Sequence, residues 1–322
     1  NKYHPLFSPL AVPNFPNPIL PPVMGKRSGR KRKRQKTAGC FGREEELISK
    51  LPNDVLIRVL SLLAPKEVIR CGVLSRRWTS LPKLVPMPLR FSWDNQSPMD
   101  ETETEFTHQV DQVLDSYPGE SLSELDISFR FGMLDQRSRI DKWLQFAMGK
   151  KVGKFSLDLY GFMGECLSPK YEFPSIRSHQ TRLPMFTSLT DLRLVCVTLT
   201  NMQVKHFLEC CPFLISFCVR RSNRLTSLKV DSPRLKFLDI QGCDELRVFE
   251  VAAPNLVSFK YVQYQSKIMP LKRAPQLNEL LLGYGYLIDN IHLFTSYFDH
   301  IQTLSLVVDL PEEFRWPFES LL

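Results

Sequence analysis

The sequence predicts an α/β protein in which a small unit of three helices precedes a solenoid of short stacked repeats. Two observations support this prediction. Three short amphipathic patterns lie between residues 51 and 82, where Pro52, Pro65 and Pro82 mark helix boundaries, and one six-residue apolar pattern recurs ten times after residue 121. Apolar residues make up 43% of the 322 residues, which is enough for a sizeable core. No membrane-spanning helix is expected, because no run of about 18 apolar residues occurs.

Residues 1–43 are expected to form a disordered tail. Seven prolines precede Met24, and this density blocks both helix and sheet hydrogen bonding. The segment lacks the basic start and the long apolar stretch of a signal peptide. Met24 is therefore a candidate translation start, in which case residues 1–23 are translated upstream sequence.

A dense basic run within this tail carries the net charge of the chain. Without its eight members, 34 basic residues balance 34 acidic ones. Runs of this kind bind import receptors, so nuclear localisation is expected, with the cytoplasm as a second location. The alternative is a solvated tail with weak, nonspecific affinity for nucleic acid; specific nucleic-acid binding is not implied. The residues are Lys26, Arg27, Arg30, Lys31, Arg32, Lys33, Arg34 and Lys36.

Residues 44–91 are expected to form the three-helix unit. Pro52 suits the first turn of a helix, and Pro65 suits the start of a second one. Ser75 is the expected cap of a third helix, which Pro82 ends. The first helix carries two adjacent apolar rows, which is more than a core of this size requires. The surplus predicts a partner-docking face; the alternative is that it packs on the rest of the chain.

The segments Leu51–Leu63 and Val73–Trp78 together resemble an F-box of the plant form. The resemblance implies docking to the Skp-family linker of cullin-RING ubiquitin ligases. It also implies which side chains form the docking face or support it. These partner-binding residues are Leu51, Pro52, Leu56, Val59, Leu60, Leu63 and Trp78.

Residues 92–120 are expected to be a connector with one amphipathic helix, on which Phe106, Val110, Val113 and Leu114 share a side. After it, residues 121–322 repeat the unit apolar-x-x-apolar-x-apolar, the leucine-rich-repeat (LRR) signature. This signature predicts a horseshoe-shaped solenoid of parallel strands. The units begin at residues 122, 152, 189, 214, 225, 235, 246, 256, 277 and 301.

The spacing of the units predicts two kinds of coil. Starts at 189 and 214 are separated by 25 residues, an ordinary repeat length, whereas starts from 214 to 256 are separated by 10 or 11. Because a full coil needs roughly 20 residues, alternate units there are expected to form the inner strand and a strand-like return segment of one coil. Residues 140–147 and 201–211 are expected to be helical return segments.

The repeats, with the segments 140–143, 150–152, 171–174 and 189–192, resemble plant F-box/LRR proteins that often end in an FBD domain. Residues from about 296 resemble the opening of such a domain. We therefore expect either a truncated sequence or a family member with a short C-terminus. Some members of the family hold a small-molecule hormone in their repeats, but the sequence shows no mark of such a pocket.

No catalytic motif is present. Phosphate-binding loops, nucleophile elbows and zinc-protease motifs are absent, and the eight cysteines form no CxxC pair. A zinc site from His206, Cys210, Cys211 and Cys218 is an alternative whose spacing fits no common pattern. We therefore expect no metal, no cofactor and no enzymatic activity.

Together these features predict a substrate-recognition adaptor of an SCF (Skp–cullin–F-box) E3 ubiquitin ligase. Its F-box would bind the Skp-family linker and, through it, the cullin-RING ligase, while the LRR array would bind an unknown target protein for ubiquitination. The alternative is a nuclear LRR scaffold with a nucleic-acid-contacting basic tail, independent of any ligase.

Overall fold

The computed structural model describes residues 50–63, 65–71, 74, 76–93, 102–129, 136–159, 171–174, 186–263, 271–283, 292 and 294–307. Helices α1 (Asn53–Leu60), α2 (Pro65–Cys71) and α3 (Arg76–Ser80) come first. A 3₁₀-helix, Leu81–Leu84, follows and contacts all three of them. It belongs to the same compact unit as the repeats, which spans Leu51–Leu322.

Prolines set the ends of these helices. Pro52 has an extended ψ of 153°, so it is the N-cap rather than a member of the first turn, which begins at Asn53. Pro65 opens α2 as predicted. Helix α3 ends at Ser80, and Pro82 lies within the 3₁₀-helix that follows. Ser75, the expected cap of α3, lies outside the described residues.

The remaining helices and strands alternate along the chain. They are listed here in chain order: β1 (Met87–Ser92), α4 (Glu103–Ser116), β2 (Leu122–Ser128), α5 (Arg137–Gly149), β3 (Lys154–Asp158), β4 (Tyr171–Glu172), β5 (Asp191–Val195), β6 (Val197–Thr198), α6 (Asn201–Cys210), β7 (Ser216–Arg220), β8 (Ser227–Asp231), β9 (Phe237–Gln241), β10 (Val248–Ala252), β11 (Ser258–Val262), β12 (Leu271–Arg273), β13 (Glu279–Gly283) and β14 (Thr303–Val307). A second 3₁₀-helix, Thr295–Tyr297, precedes β14.

Nine parallel strands form the main sheet, in the order β1-β2-β3-β5-β7-β9-β11-β13-β14. Two smaller parallel sheets, β12-β10-β8 and β4-β6, contain the return segments. This arrangement confirms the α/β solenoid. Since β7, β9 and β11 lie in the main sheet while β8 and β10 lie in the second sheet, the predicted alternation of inner strand and return strand is also confirmed.

The apolar positions of the repeat face the core between these layers. Leu225, Leu228 and Val230 of one return strand are buried, as are Leu235 and Leu238 of the next inner strand. The exception is β14, where Leu304 and Leu306 remain 44% and 41% exposed. The last described strand therefore presents part of an uncovered apolar side.

The array begins earlier than predicted. Residues 87–92, placed partly in the three-helix unit and partly in the connector, form strand β1, which pairs with β2 over its whole length. The helix expected in the connector, α4, follows this strand and packs against α5. Its buried side consists of Phe106, Val110 and Leu114, as predicted, with Val113 only half-buried. The segment 92–120 is thus mostly the return half of the first coil.

A hydrogen bond and an ion pair join α4 to α5. The indole Nε1 of Trp143 donates to Asp111 Oδ1 at 2.8 Å, and Arg139 Nη1 lies 3.0 Å from Asp111 Oδ2.

Helices α4 and α6 both begin with a capping box, formed by Thr102 with Glu105 in α4 and by Thr200 with Gln203 in α6. These caps satisfy the free N–H groups at the helix starts, so the return helices begin at fixed residues.

Three consecutive main-sheet strands end in the same left-handed turn. Cys196, Arg221 and Gly242 have φ values of 56°, 56° and 59°, and each donates its backbone N–H to a carbonyl at the end of the next strand. Only glycine adopts this conformation without steric cost. Cys243 follows the third turn; its thiol is buried 3.7 Å from the carbonyl oxygen of Gln241 and fills the space inside the turn.

Candidate partner-binding site

The two apolar rows of α1 have different environments. Leu56 and Leu60 are 1% and 0% exposed, whereas Val55 and Val59 are 39% and 47% exposed. Successive residues of a helix differ by about 100° around its axis, so the two rows lie on different sides of α1. One row therefore packs inward, and the other faces solvent.

The inward row belongs to the core of the three-helix unit. Leu56 and Leu60 are buried with Val68 of α2, Trp78 of α3 and Leu81 of the 3₁₀-helix. Three of the predicted partner-binding residues, Leu56, Leu60 and Trp78, are therefore core residues that support a surface without forming it. Fully burying side chains of this kind contributes about 1.5–3 kcal/mol each, so replacing them would disturb the fold first.

The outward row is part of an exposed apolar surface, which we call the docking face. Of the thirteen large apolar side chains that are exposed in the described part of the chain, six lie in this short segment. A soluble monomer seldom gathers so many on one small unit, so such a patch indicates an interaction site. The docking face consists of Leu51, Val55, Val59, Leu62, Leu63 and Leu74.

The sequence placed Leu51, Val59 and Leu63 in the site, and the structure brings all three to this surface. Pro52, also predicted, is exposed at the start of α1. Val55, Leu62 and Leu74 were missed. Val55 shares the i, i+4 row of Val59, so its spacing was available as a signal; Leu62 and Leu74 follow helix ends, where periodicity gives no direction.

Arg77 fixes the start of α1 to α3. Its Nε and Nη2 donate to Asn53 Oδ1 at 2.9 and 2.7 Å, and Nη2 also donates to the carbonyl oxygen of Leu51. A guanidinium presents its donors in a rigid fork, so these contacts define both position and orientation. The Leu51 end of the docking face is thereby held against the helix that carries Trp78.

The basic residues from Lys26 to Lys36 lie outside the described residues. Within the described ranges, no group of three His, Cys, Asp or Glu side chains is arranged to hold a metal ion. The alternative zinc site is not assembled there, since Cys218 lies on the main sheet beside Arg193, 3.6 Å from its Nη1. Burial raises the pKa of the Cys211 and Cys218 thiols to about 12.

A second surface is the solvent-facing side of the main sheet, here called the sheet face. Between the buried apolar positions, the strands place charged and polar side chains outward. Arg90 Nε and Nη2 each donate to a Glu124 carboxylate oxygen at 2.8 Å, and Lys260 lies 3.5 Å from Glu279. Nearer the middle, burial raises the pKa of the Asp126 and Asp158 carboxyls.

An open cavity of about 420 Å³ lies beside α6 and β4. Its lining includes the ion pair between Arg224 and Glu172, at 2.9 Å, in which both side chains are 58% exposed. Small-molecule pockets are mostly apolar and enclose their ligand, and this wet, charged groove does not have that character.

Comparison with known proteins matches both parts of the chain. An F-box-like family model matches residues 48–81, and a model described as "At1g61320/AtMIF1, LRR domain" matches residues 175–314. The chain is 30% identical over 259 residues to the F-box/LRR-repeat protein At3g26922 of Arabidopsis thaliana, covering 74% of this chain and 82% of the relative.

Two further Arabidopsis thaliana relatives are longer than the matched region. The chain is 26% identical to the F-box/LRR-repeat protein At2g42730, covering 74% of this chain and 57% of the relative. It is 30% identical to the putative F-box/FBD/LRR-repeat protein At5g22670, covering 60% of this chain and 45% of the relative. The chain thus spans about half the length of these two.

In the part of this chain that the structure describes, no helix is long and apolar enough to cross a membrane.

Proposed function

The chain belongs to the F-box/LRR-repeat proteins, and from this membership we propose that it is the substrate-recognition adaptor of an SCF E3 ubiquitin ligase. Proteins of this family are typically non-catalytic adaptors. In the proposed complex the docking face binds the Skp-family linker, which connects the chain to the cullin-RING ligase. The repeats bind a target protein, and the chain contributes proximity by holding that target near the charged conjugating enzyme.

The observation that carries this proposal is the docking face itself. Val59 and Leu63 are 47% and 38% exposed on a small unit whose own core is already filled by Leu56 and Leu60. Apolar side chains that a partner buries become the energetic centre of an interface. The matching F-box-like model covers this same segment, residues 48–81.

The test is binding of the purified full chain to a purified Skp-family linker. We expect the wild type to bind, and Val59→Asp with Leu63→Asp to lose at least about thirtyfold in affinity, since hot-spot side chains contribute about 2 kcal/mol or more. Val248→Asp is the matched control, because Val248 is 59% exposed but lies on return strand β10. All three proteins should show the same thermal unfolding.

A folded wild type that does not bind the linker would overturn the adaptor assignment. In that case the nuclear scaffold becomes the working function, and it predicts binding of the chain to polyanions that survives physiological salt. Substitutions at Leu56 or Leu60 cannot decide between the two, because both side chains are fully buried and their replacement unfolds the unit.

Nuclear localisation is a separate part of the proposal and depends on the eight basic residues between Lys26 and Lys36. An extended cationic run is the chemistry that import receptors recognise. The full chain fused to a fluorescent reporter should accumulate in the nucleus, and replacing the eight residues by alanine should disperse it. Equal distribution of both fusions would contradict this localisation.

A further inference from the structure

A continuous polar network crosses the middle of the sheet face. On adjacent strands β3 and β5, Arg193 Nη2 lies 3.1 Å from Asp158 Oδ2. On adjacent strands β7 and β9, Arg220 Nη2 lies 2.5 Å from Asp239 Oδ2, and its Nε lies 3.2 Å from the same oxygen. Two arginine–aspartate pairs therefore stand side by side, on four consecutive strands of the sheet.

The side chains of the two arginines are more exposed to solvent than those of the two aspartates that they contact. The side chains of Arg193 and Arg220 are 39% and 30% exposed, whereas those of Asp158 and Asp239 are 18% and 16% exposed. A molecule that approaches the sheet face therefore meets guanidinium groups before it meets carboxylates. The outermost groups of these two pairs are therefore cationic, although the four side chains together are neutral.

Both guanidiniums border one small side chain. Cys218 lies opposite Arg193 in the pairing of β5 with β7, and Arg220 follows it by two residues on β7. The Cys218 thiol interacts electrostatically with both cations. Cys218 is short and only 8% exposed, so it lies deeper than the two guanidinium groups beside it.

Each guanidinium keeps donors for a further ligand. Arg193 uses two of its five N–H groups, one toward Asp158 and one toward the Cys218 sulfur. Arg220 also uses two, both toward Asp239. The underlying carboxylates hold the planar groups in place, so little rotamer entropy is lost when a ligand binds.

We propose that Arg193 and Arg220 together bind a carboxylate side chain of an acidic segment in the protein substrate. This inference rests on the proposed function, because it names the chemistry of the target that the repeats hold. Fork-shaped donors in pairs match the two oxygens of a carboxylate.

A single negative charge fits this site better than a phosphate dianion. Asp158 and Asp239 already balance the two arginines, and Asp126 and Asp191 add negative charge on the same face. Lys154 and Lys260 flank these groups on β3 and β11. One incoming carboxylate adds a charge of −1 beside these acidic groups, whereas a phosphate would add about −2 and be repelled more strongly.

The test is peptide selection by the purified full chain on an array of random dodecapeptides, with matched peptides in which phosphoserine replaces Glu. We expect Asp and Glu to be enriched about tenfold or more among bound peptides, as charge-assisted contacts of this kind provide. In the double variant Arg193→Lys, Arg220→Lys the enrichment should disappear, because lysine keeps both ion pairs but lacks the fork.

Arg247→Lys is the matched control, since Arg247 is 73% exposed beside the return strand β10. It should select the same peptides as the wild type, and equal thermal unfolding of all variants excludes a folding defect. The proposal is overturned if the wild type shows no preference for acidic residues. It is also overturned if the double lysine variant keeps that preference, or if phosphoserine peptides outcompete their Glu counterparts.

Linker binding, measured on the same samples, separates this inference from the proposed function. Variants of Arg193 and Arg220 should bind the linker normally, and the docking-face variant should keep the acidic selection. Acidic selection without linker binding would remove the adaptor assignment and leave the site standing. Linker binding without acidic selection would overturn the carboxylate site and leave the adaptor assignment standing.

Discussion

Arg77 and Asn53, 24 residues apart, are joined by two hydrogen bonds from one guanidinium to one amide oxygen, at 2.9 and 2.7 Å. Through this contact the third helix of the F-box holds the start of the first. The docking face extends across that junction, since Leu51 and Val55 lie on either side of Asn53. The geometry of the face therefore depends on a residue that does not belong to it.

Replacing Arg77 by alanine should loosen the start of α1. We expect a loss of about 1 kcal/mol for the neutral acceptors left without their donor, concentrated in the F-box. Hydrogen exchange of the amides in α1 is the measurement, because it reports local opening free energy. Arg58→Ala is the control, as Arg58 is exposed on the same helix. Unchanged exchange in α1 would show that the contact contributes nothing to the position of this helix.

Gly242→Ala should destabilise the array by about 1–2 kcal/mol. The residue has φ of +59°, where a side chain meets steric cost, and a Cβ there would lie 3.2 Å from Arg221 Cγ. Gly149→Ala is the matched control: it lies at the end of α5, and a Cβ would meet nothing within 4 Å. This control should stabilise by about 0.5–1 kcal/mol. Chemical denaturation of both variants measures the difference, and equal effects would contradict the turn geometry.

Asp126→Asn should raise the free energy of unfolding at neutral pH. Burial, followed by repulsion from Glu124, raises the pKa of the Asp126 carboxyl, although a hydrogen bond from Ser156 lowers it. The folded state therefore takes up a proton before the unfolded chain does, and wild-type stability recovers as pH falls through the raised pKa. The advantage of the variant should shrink accordingly when urea denaturation is repeated at successively lower pH. Asp231→Asn serves as the control, because Asp231 is exposed. An Asp126→Asn variant that is less stable than the wild type at every pH would contradict the expected gain in stability.

Cysteine alkylation should divide the described thiols into two classes. Cys71 and Cys210 are half-exposed, whereas Cys218 and Cys243 are buried with thiol pKa values raised to about 12. Because the thiolate is the nucleophile, a thiol with that pKa is ionised to about one part in ten thousand near pH 8. Mass spectrometry after brief treatment with iodoacetamide should find Cys71 and Cys210 modified. Modification of Cys243 in the native protein would show that its turn opens readily.

Much of the repeat array could be predicted from apolar spacing alone. All ten predicted units correspond to strands, and the short spacing after residue 214 correctly separated β7, β9 and β11 from β8 and β10. The reason is that each coil of a solenoid buries its apolar side chains against the coils next to it in the sequence. Each strand must bury the same positions against its sequence neighbours, so the pattern survives in the sequence.

Four strands lack that pattern, namely β1, β12 and the two-residue strands β4 and β6. In β1 the register shifts between Met87 and Pro88, so Met87, Leu89 and Phe91 follow each other at intervals of two, and the usual interval of three is missing. Strand β12 has only three residues, and Leu271 is the single buried one among them. An irregular register and a short strand both remove the periodicity on which the prediction relied.

The sequence by itself determined that α1 carries two apolar rows, that three short helices lie among Pro52, Pro65 and Pro82, and that coils of two lengths follow. Tertiary structure alone decided which row is the surface. Packing of Leu56 and Leu60 with Leu81 and Trp78 fixes the rotation of α1 about its axis, and Val55 and Val59 are left outside. The same holds for the sheet face. Arg193 and Arg220 are ordinary basic residues in the sequence, and they become neighbours only because β5 and β7, 25 residues apart in the chain, pair side by side.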